Sequence, residues 1–439
     1  MTLVLINQNK KILEYSKMIP LYEHQKKIIN EDRKKSLLAL GTGSGKTRTC
    51  LELAEGRTII LVLKQQKLDQ TWENNAEKFG INKKIEVYSK EEFKAKYKTI
   101  GPCDTLIIDE CHKFLGVLPQ TRYRNKKPIP KASQLFEATK EYIETHKPKR
   151  LYLASATPVN HPMNFYAIGL LFGLNWNFYE FRQKYYFERT FGTRKMWIKK
   201  TTKDMLEELA NKVKAFGYTG RLEDWFDVPE QTHVNKYFEL STEQKKAIKS
   251  VEDMEADVMV KRAKRRTIEN GILYDYQVEQ ITPREQRMVK NTIFYKNEKL
   301  DYILEKAEEF DKLLIFCAYT GQVYQTKKVL EDAGYKVLTL TGETKDRGTV
   351  IETAEKLEKC IVIAQANISA GYELPSFPCV IFASKSYSYV DYAQGLGRVL
   401  RANALKKNLY IHLIVKGGVD EACHKTIMTG QDFAEKLYD

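Results

Sequence analysis

SLLALGTGSGKTRTCLELAEGRTIILVL, residues 36–63, decides how this chain is read. Two apolar runs, SLLAL and TIILVL, flank a glycine-rich turn and a stretch of helical character. Apolar runs without polar alternation suit strands buried on both faces, so the segment reads as a βαβ unit with parallel strands. The turn supplies Gly41, Thr42, Gly43, Ser44, Gly45, Lys46 and Thr47. Its glycines let successive backbone N–H groups close around phosphate oxygens, and the start of the following helix adds a favourable dipole. On this pattern Lys46 reaches the β- and γ-phosphates of ATP and Thr47 ligates Mg²⁺. A merely structural turn needs the glycines but not the Lys-Thr pair. One position departs from the strict pattern, because Leu40 stands where glycine or alanine is expected.

Downstream, TLIIDECH at 105–112 ends an apolar strand in two carboxylates. Strand ends of parallel sheets are where ligands collect. Asp109 is expected to hold Mg²⁺ and Glu110 to polarise an attacking water. A second group of buried-type strands follows: LLIFCAY (313–319), KVLTLTG (336–342), CIVIAQ (360–365), CVIFAS (379–384) and LYIHLIV (409–415). The fold class is therefore α/β, with two parallel-sheet lobes. Residues 1–165 are expected to form the first lobe and 299–439 the second. The stretch 166–298 has few apolar runs and several segments at helical spacing, such as DMLEELANKVKAF and STEQKKAIKSVEDMEADVMVKRAK, so it reads as a mainly helical insert. RNKKPIP at 124–130 reads as an exposed basic loop.

Composition narrows the class of partner. The chain has 439 residues, more than one core usually serves, with 43% hydrophobic residues and no uninterrupted run long enough to span a bilayer. The N-terminus lacks the layout of a secretory signal and is expected to start a strand, and the seven cysteines lack the pairing of a zinc site or disulfide framework; both fit a cytoplasmic protein. The formal charge of +15 favours a polyanion such as nucleic acid, while the negative mean hydropathy and the lack of a long apolar run argue against a membrane.

In order along the chain, GTGSGKT, DECH, SATP (155–158) and QGLGRVLR (394–401) resemble the motifs of superfamily-2 helicases, built on two RecA-like lobes. The resemblance implies an ATP hydrolase that moves on nucleic acid. Upstream, LYEHQKKII at 21–29 is similar to the segment that reads adenine in those proteins, which puts Gln25 on the base. Gln394, Gly397, Arg398 and Arg401 match the arginine-finger motif, whose side chains stabilise charge on the γ-phosphate. Ser155 and Thr157, with His112, match the segments that couple ATP state to movement. TPVNHPMNFYAIGLLFGL at 157–174, with Asn160 in register, is similar to the Swi/Snf-type branch, as are 228–248, 299–320 and 419–427. DECH, SAT and Glu373 depart from that branch's usual residues.

Phosphate contacts are expected at segment ends: Lys64 and Gln65, Thr341 and Gly342, and Ser369 to Gly371. Within FRQKYYFERTFGTRKMWIKK (181–200), the cations Arg182, Lys184, Arg194 and Lys195 interleave with Tyr185, Tyr186 and Trp197. That interleaving suits phosphate contact and base stacking, although such spacing also suits a core. KRAKRR at 261–266 is read the same way. Compact chains of this kind resemble phage or bacterial DNA motors. The expected function is an ATP-dependent DNA helicase on forked or branched DNA, possible replication or recombination proteins being its partners. The alternatives are a duplex translocase, a nucleotide-switch subunit of a restriction or defence complex, and an RNA helicase.

Overall fold

The computed structural model describes residues 19–124, 127–159, 161–191, 194–200, 202–282, 285–368, 372–400 and 407–436. The expected N-terminal strand, Asn160, Ser369, Gly371 and Arg401 lie outside them. The chain divides into two compact units, Met1–Asp227 with Asp432–Asp439, and Val228–Gln431.

In the first unit the apolar runs become β1 (Lys35–Leu40), β2 (Thr58–Val62), β3 (Ile85–Ser89) and β4 (Thr105–Ile108). A two-stranded hairpin follows, β5 (Val117–Arg124) and β6 (Lys127–Ala132), then β7 (Arg150–Ala154). A second hairpin, β8 (Tyr186–Phe191) and β9 (Arg194–Lys199), precedes β10 (Gly217–Gly220). The sheet runs β10-β1-β7-β4-β2-β3, with every neighbouring pair parallel. β1, β2, β4 and β7 are buried on both faces apart from Lys35 at the start of β1, as continuous Leu, Ile and Val runs require. Removing each such side chain from water contributes about 1.5–3 kcal/mol.

The second unit repeats the architecture. β11 (Gln231–Phe238) and the hairpin β12 (Ile272–Thr282) and β13 (Glu285–Phe294) precede β14 (Lys312–Cys317), β15 (Val337–Leu340), β16 (Cys360–Gln365), β17 (Cys379–Phe382) and β18 (Asn408–Val415). The six-stranded order is β11-β18-β17-β14-β16-β15, again all parallel. The two sheets match tandem RecA-like lobes, as the α/β reading expected. All seven cysteines are buried free thiols. No described helix is long and apolar enough to cross a membrane.

The stretch read as an insert divides between the two units. Residues 166–227 belong with the first sheet and 228–298 with the second. The reason lies in the two strands that close the sheets at their edges. β10 is the four-residue GYTG, and six of the eight β11 residues are exposed, so neither presents an apolar run. The helical readings within the stretch are met by Lys203–Ala215, Thr242–Glu252 and Val258–Glu269. The basic loop at 124–130 falls largely within β5 and β6. A two-stranded hairpin has only edges, where proline is tolerated.

A buried ammonium organises the second unit. Lys299, 1% exposed, donates to Asp420 Oδ2 (2.9 Å), Asn270 Oδ1 (2.9 Å) and the Ala383 carbonyl (3.0 Å). Glu269, fully buried, accepts the backbone N–H groups of Val419 and Asp420 at 3.0 and 2.8 Å. These bonds fix the helix Val258–Glu269 to the end of β17 and the start of the helix Val419–Lys436. Removing one partner of a buried pair strands the other, so Asp420→Ala is expected to lower unfolding free energy by about 3–5 kcal/mol in urea titration. A change within experimental error would show that the network carries no stability.

Candidate active site

The sheet order brings three separated segments together. β1, β7 and β4 are neighbours, so their C-terminal ends deliver Gly41, Ser155 and Asp109 to one edge. Gly43 and Gly45 have φ of 84° and 81°, the left-handed region that side chains resist. A Cβ on Gly45 would stand 2.5 Å from Gln25 Nε2. The helix α2 (Lys46–Leu53) starts immediately after, with Gly45 as its cap residue and Thr47 half-buried in its first turn. Ser44 is buried and its hydroxyl donates to the Gly41 carbonyl at 2.7 Å, while Gly41 N bonds Gly220 O of β10 at 2.8 Å. Leu40, the departure from the strict pattern, is fully buried. Only its carbonyl meets the loop, accepting Lys46 Nζ at 2.9 Å, with Gly41 O at 3.1 Å from the same ammonium.

Asp109 is buried at the foot of this loop and accepts from Gln66 Nε2 (2.9 Å), Trp72 Nε1 (3.3 Å) and Glu110 N (2.9 Å). Burial first, and then the Glu110 charge, push its carboxyl up to about 6, against the pull of Lys46. Glu110 itself takes φ of 46°, a conformation that costs a non-glycine residue about 1–2 kcal/mol. The strain turns the chain into the short 3₁₀ turn Cys111–Lys113 and presents the carboxylate to Ser155. Ser155 Oγ donates to Glu110 Oε2 at 3.3 Å, lies 3.0 Å from His112 Nδ1 and accepts from Thr157 N at 3.1 Å. One hydroxyl thus joins Glu110, His112 and the Thr157 backbone.

Gln25, in the helix α1 (Glu23–Glu31), reaches the loop and is 1% exposed. Its amide donates to Gly45 O (3.1 Å) and Thr49 Oγ1 (3.3 Å) and accepts from Tyr22 N (2.9 Å). In this arrangement its contacts go to the loop. Sequence reasoning missed four neighbours. His24 bonds the Ser44 carbonyl at 2.9 Å and stacks on Trp225 at 4.0 Å between ring centres, and burial holds its pKa below the ordinary value. Gln66 and Trp72 hold Asp109. Gln66 follows the singled-out Lys64 and Gln65 by one or two residues, but nothing in the sequence connects Trp225 to a loop so far upstream.

Other expected contacts divide. Lys64 is exposed just beyond β2, and Gln65 beside it bonds Asp69 Oδ1 at 2.7 Å. Gly342 is exposed, whereas Thr341 is buried and its hydroxyl accepts from Glu343 N at 3.2 Å. Arg182, Tyr185 and Tyr186 are all buried: Arg182 and Tyr185 lie on the helix Phe178–Tyr185, and Tyr185 packs on the first core together with Tyr186, which opens β8. Arg182 lies 4.1 Å from the Trp197 ring, which is itself packed against that core, and Lys184 pairs with Glu208 at 2.6 Å. Arg194 and Lys195 open β9. Within KRAKRR, Arg265 pairs with Glu252 and Glu269, and Arg266 packs 4.3 Å from the Tyr387 ring, so both serve their own unit. In the second unit Gln394 and Arg398 are buried; Arg398 donates to the carbonyls of Gln394 (2.7 Å) and Tyr372 (2.6 Å).

The Asp109 environment yields a pH prediction. A carboxyl whose pKa rises on folding favours the folded state at low pH, and that contribution is lost as pH climbs from about 4 through about 6. Without divalent cation, Asp109→Asn is expected to raise stability at pH 7 by about 1–2 kcal/mol and to change it little at pH 4. Equal effects at both pH values in thermal melts would contradict this electrostatic reading.

Two stretches match known families. Residues 8–101 match the family described as type III restriction enzyme, res subunit, and residues 295–403 match the helicase conserved C-terminal domain. A protein named ATP-dependent RNA helicase in Aspergillus niger is 26% identical over 133 residues, 28% of this chain and 27% of that protein. One so named in Methanocaldococcus jannaschii is 25% identical over 134 residues, 29% of this chain and 17% of that protein. These matches span about a quarter or less of the relatives' lengths. One stretch of each RecA-like lobe is thus similar to a known domain, the first to a restriction-enzyme res subunit and the second to the helicase conserved C-terminal domain.

Proposed function

We propose that the chain is a motor that hydrolyses ATP to move on DNA and to unwind or branch-migrate forked substrates. The observation that carries this reading is the convergence of Lys46, Asp109, Glu110 and Ser155 at the adjoining ends of β1, β4 and β7. Lys46, on the loop, neutralises phosphate charge. Glu110 is placed to accept a proton from the attacking water, and Ser155 senses its position through the shared hydroxyl contact. The buried carboxylate of Asp109 and the half-buried hydroxyl of Thr47 suit Mg²⁺, which these two residues would hold and which would supply charge neutralisation at the transferring phosphoryl group. Gln394, Arg398 and Arg401 belong to the same proposal as residues on which turnover depends.

DNA is favoured by the Swi/Snf-type resemblance and by the restriction-enzyme family matched at residues 8–101. RNA is the second reading, favoured by the names of the relatives. Steady-state ATPase with single-stranded DNA, blunt duplex, forked duplex and RNA separates them, read together with strand release from the fork. Stimulation by forks with release is expected. Stimulation by plain duplex without release would replace unwinding by translocation, and stimulation by RNA alone would replace the substrate. Glu110→Gln is expected to lower stimulated turnover by about 10²–10⁴-fold. Retained turnover would remove Glu110 from the chemistry.

A further inference from the structure

Peptide orientation decides whether a glycine-rich loop can hold a phosphate. A trans peptide unit is planar with its C=O and N–H pointing in opposite directions, so a partner that fixes one fixes the other. Three such partners hold this loop. Gly220 O of β10 accepts the Gly41 N–H at 2.8 Å, and the carbonyl of that peptide, Leu40 O, accepts Lys46 Nζ at 2.9 Å. The Gln25 amide donates to the Gly45 carbonyl at 3.1 Å. The third partner is His24, whose Nε2 lies 2.9 Å from the Ser44 carbonyl. A carbonyl only accepts, so Nε2 carries the proton, and the Gly45 N–H of the same peptide is directed away from His24.

One hydrogen bond does not fix the plane of an imidazole, and the other nitrogen adds nothing. His24 Nδ1 is buried with no hydrogen-bond partner among the described residues. The plane is set by Trp225, which stacks on His24 at 4.0 Å between ring centres with 14° between planes. Tyr22 and Phe226 add ring contacts at 5.8 and 6.0 Å.

Trp225 is itself held close to the loop. Its N–H donates to the Leu222 carbonyl at 3.2 Å, as does that of Phe226 at 3.0 Å, and Leu222 is buried. A Cβ on Gly41 would stand 3.1 Å from Leu222 N, and one on Gly220 would run into the Trp225 ring. β10 and the turn after it therefore lie directly against the loop, on the far side of the sequence from the segment they brace.

We propose that Trp225 is a positioning residue of the nucleotide site: it holds the His24 ring, His24 holds the Ser44 carbonyl, and the Gly45 N–H is thereby presented to a phosphate oxygen of ATP. This rests on the reading of the loop as an ATP site. A flat ring is needed at position 225, because an aliphatic side chain fills the space without setting the plane of its neighbour. An amide that holds a phosphate before and during hydrolysis contributes to binding more than to lowering the barrier.

The test titrates the full chain with a non-hydrolysable ATP analogue and Mg²⁺ by calorimetry, beside KM and kcat from steady-state ATPase. Trp225→Leu is expected to weaken binding by about tenfold, as loss of one oriented donor to an anion does, and to raise KM with kcat changed by less than about threefold. Trp225→Phe keeps a flat ring and is expected to bind within about threefold of the wild type. His24→Phe keeps the stack and removes the donor, so it is expected to lose about tenfold as well. It replaces Trp225→Leu as the deciding variant if circular dichroism shows the latter misfolded. In the double variant Trp225→Leu with His24→Phe the loss is expected to stay at about tenfold, because both changes act through one carbonyl. Single variants that match the wild type, or losses that multiply to about a hundredfold, overturn the positioning role alone. A wild type that binds no analogue overturns the ATP site and the positioning role together.

Discussion

The site depends on the neighbour order β4-β7-β1 in the first sheet. Parallel strands all end on the same edge, so three segments far apart in sequence are placed side by side there. Register fixes the alignment: Ile108 pairs with Leu153, and Leu38 with Ala154. The residues that follow these pairs are the carboxylates, the Ser155 hydroxyl and the loop. A different insertion of β7 would separate Glu110 from Ser155 and leave Lys46 without its carboxylate neighbours.

Around this edge the protein holds unfavourable arrangements in place with rigid surroundings. Glu110 has a strained backbone, Asp109 is a buried carboxylate, and Lys46 is folded back on carbonyls. Each is opposed by specific neighbours: Gln66 and Trp72 on Asp109, Ser155 and His112 on Glu110, Gln25 and His24 on the loop. A phosphate and a cation would relieve the charge stored there. The same logic holds in the second unit without a ligand, where Lys299 and Asp420 satisfy one another.

Much of this was legible in the sequence because buried parallel strands leave continuous apolar runs. Eight such runs, β1, β2 and β4 of the first sheet and β14 to β18 of the second, all became strands. The loop and DECH were legible because their chemistry needs particular residues at strand ends. The edge strands β10 and β11 were not: GYTG is short and half-buried and QTHVNKYF is largely exposed, so neither carries an apolar run. FRQKYY is ambiguous for a related reason. A basic-aromatic helix face looks the same whether it meets a nucleic acid or a core, and here Arg182 and Tyr185 turn inward. Trp225 was invisible because its place beside His24 follows from β10 joining β1, a pairing that only the folded sheet reveals.

The central claim is that these strand ends form one nucleotide site. Calorimetric titration of the full chain with a non-hydrolysable ATP analogue, with and without Mg²⁺, tests it most directly. The account predicts saturable binding at a single site, strengthened by Mg²⁺ and lost in Lys46→Ala. No binding by the wild type, or binding that Lys46→Ala leaves unchanged, would contradict it.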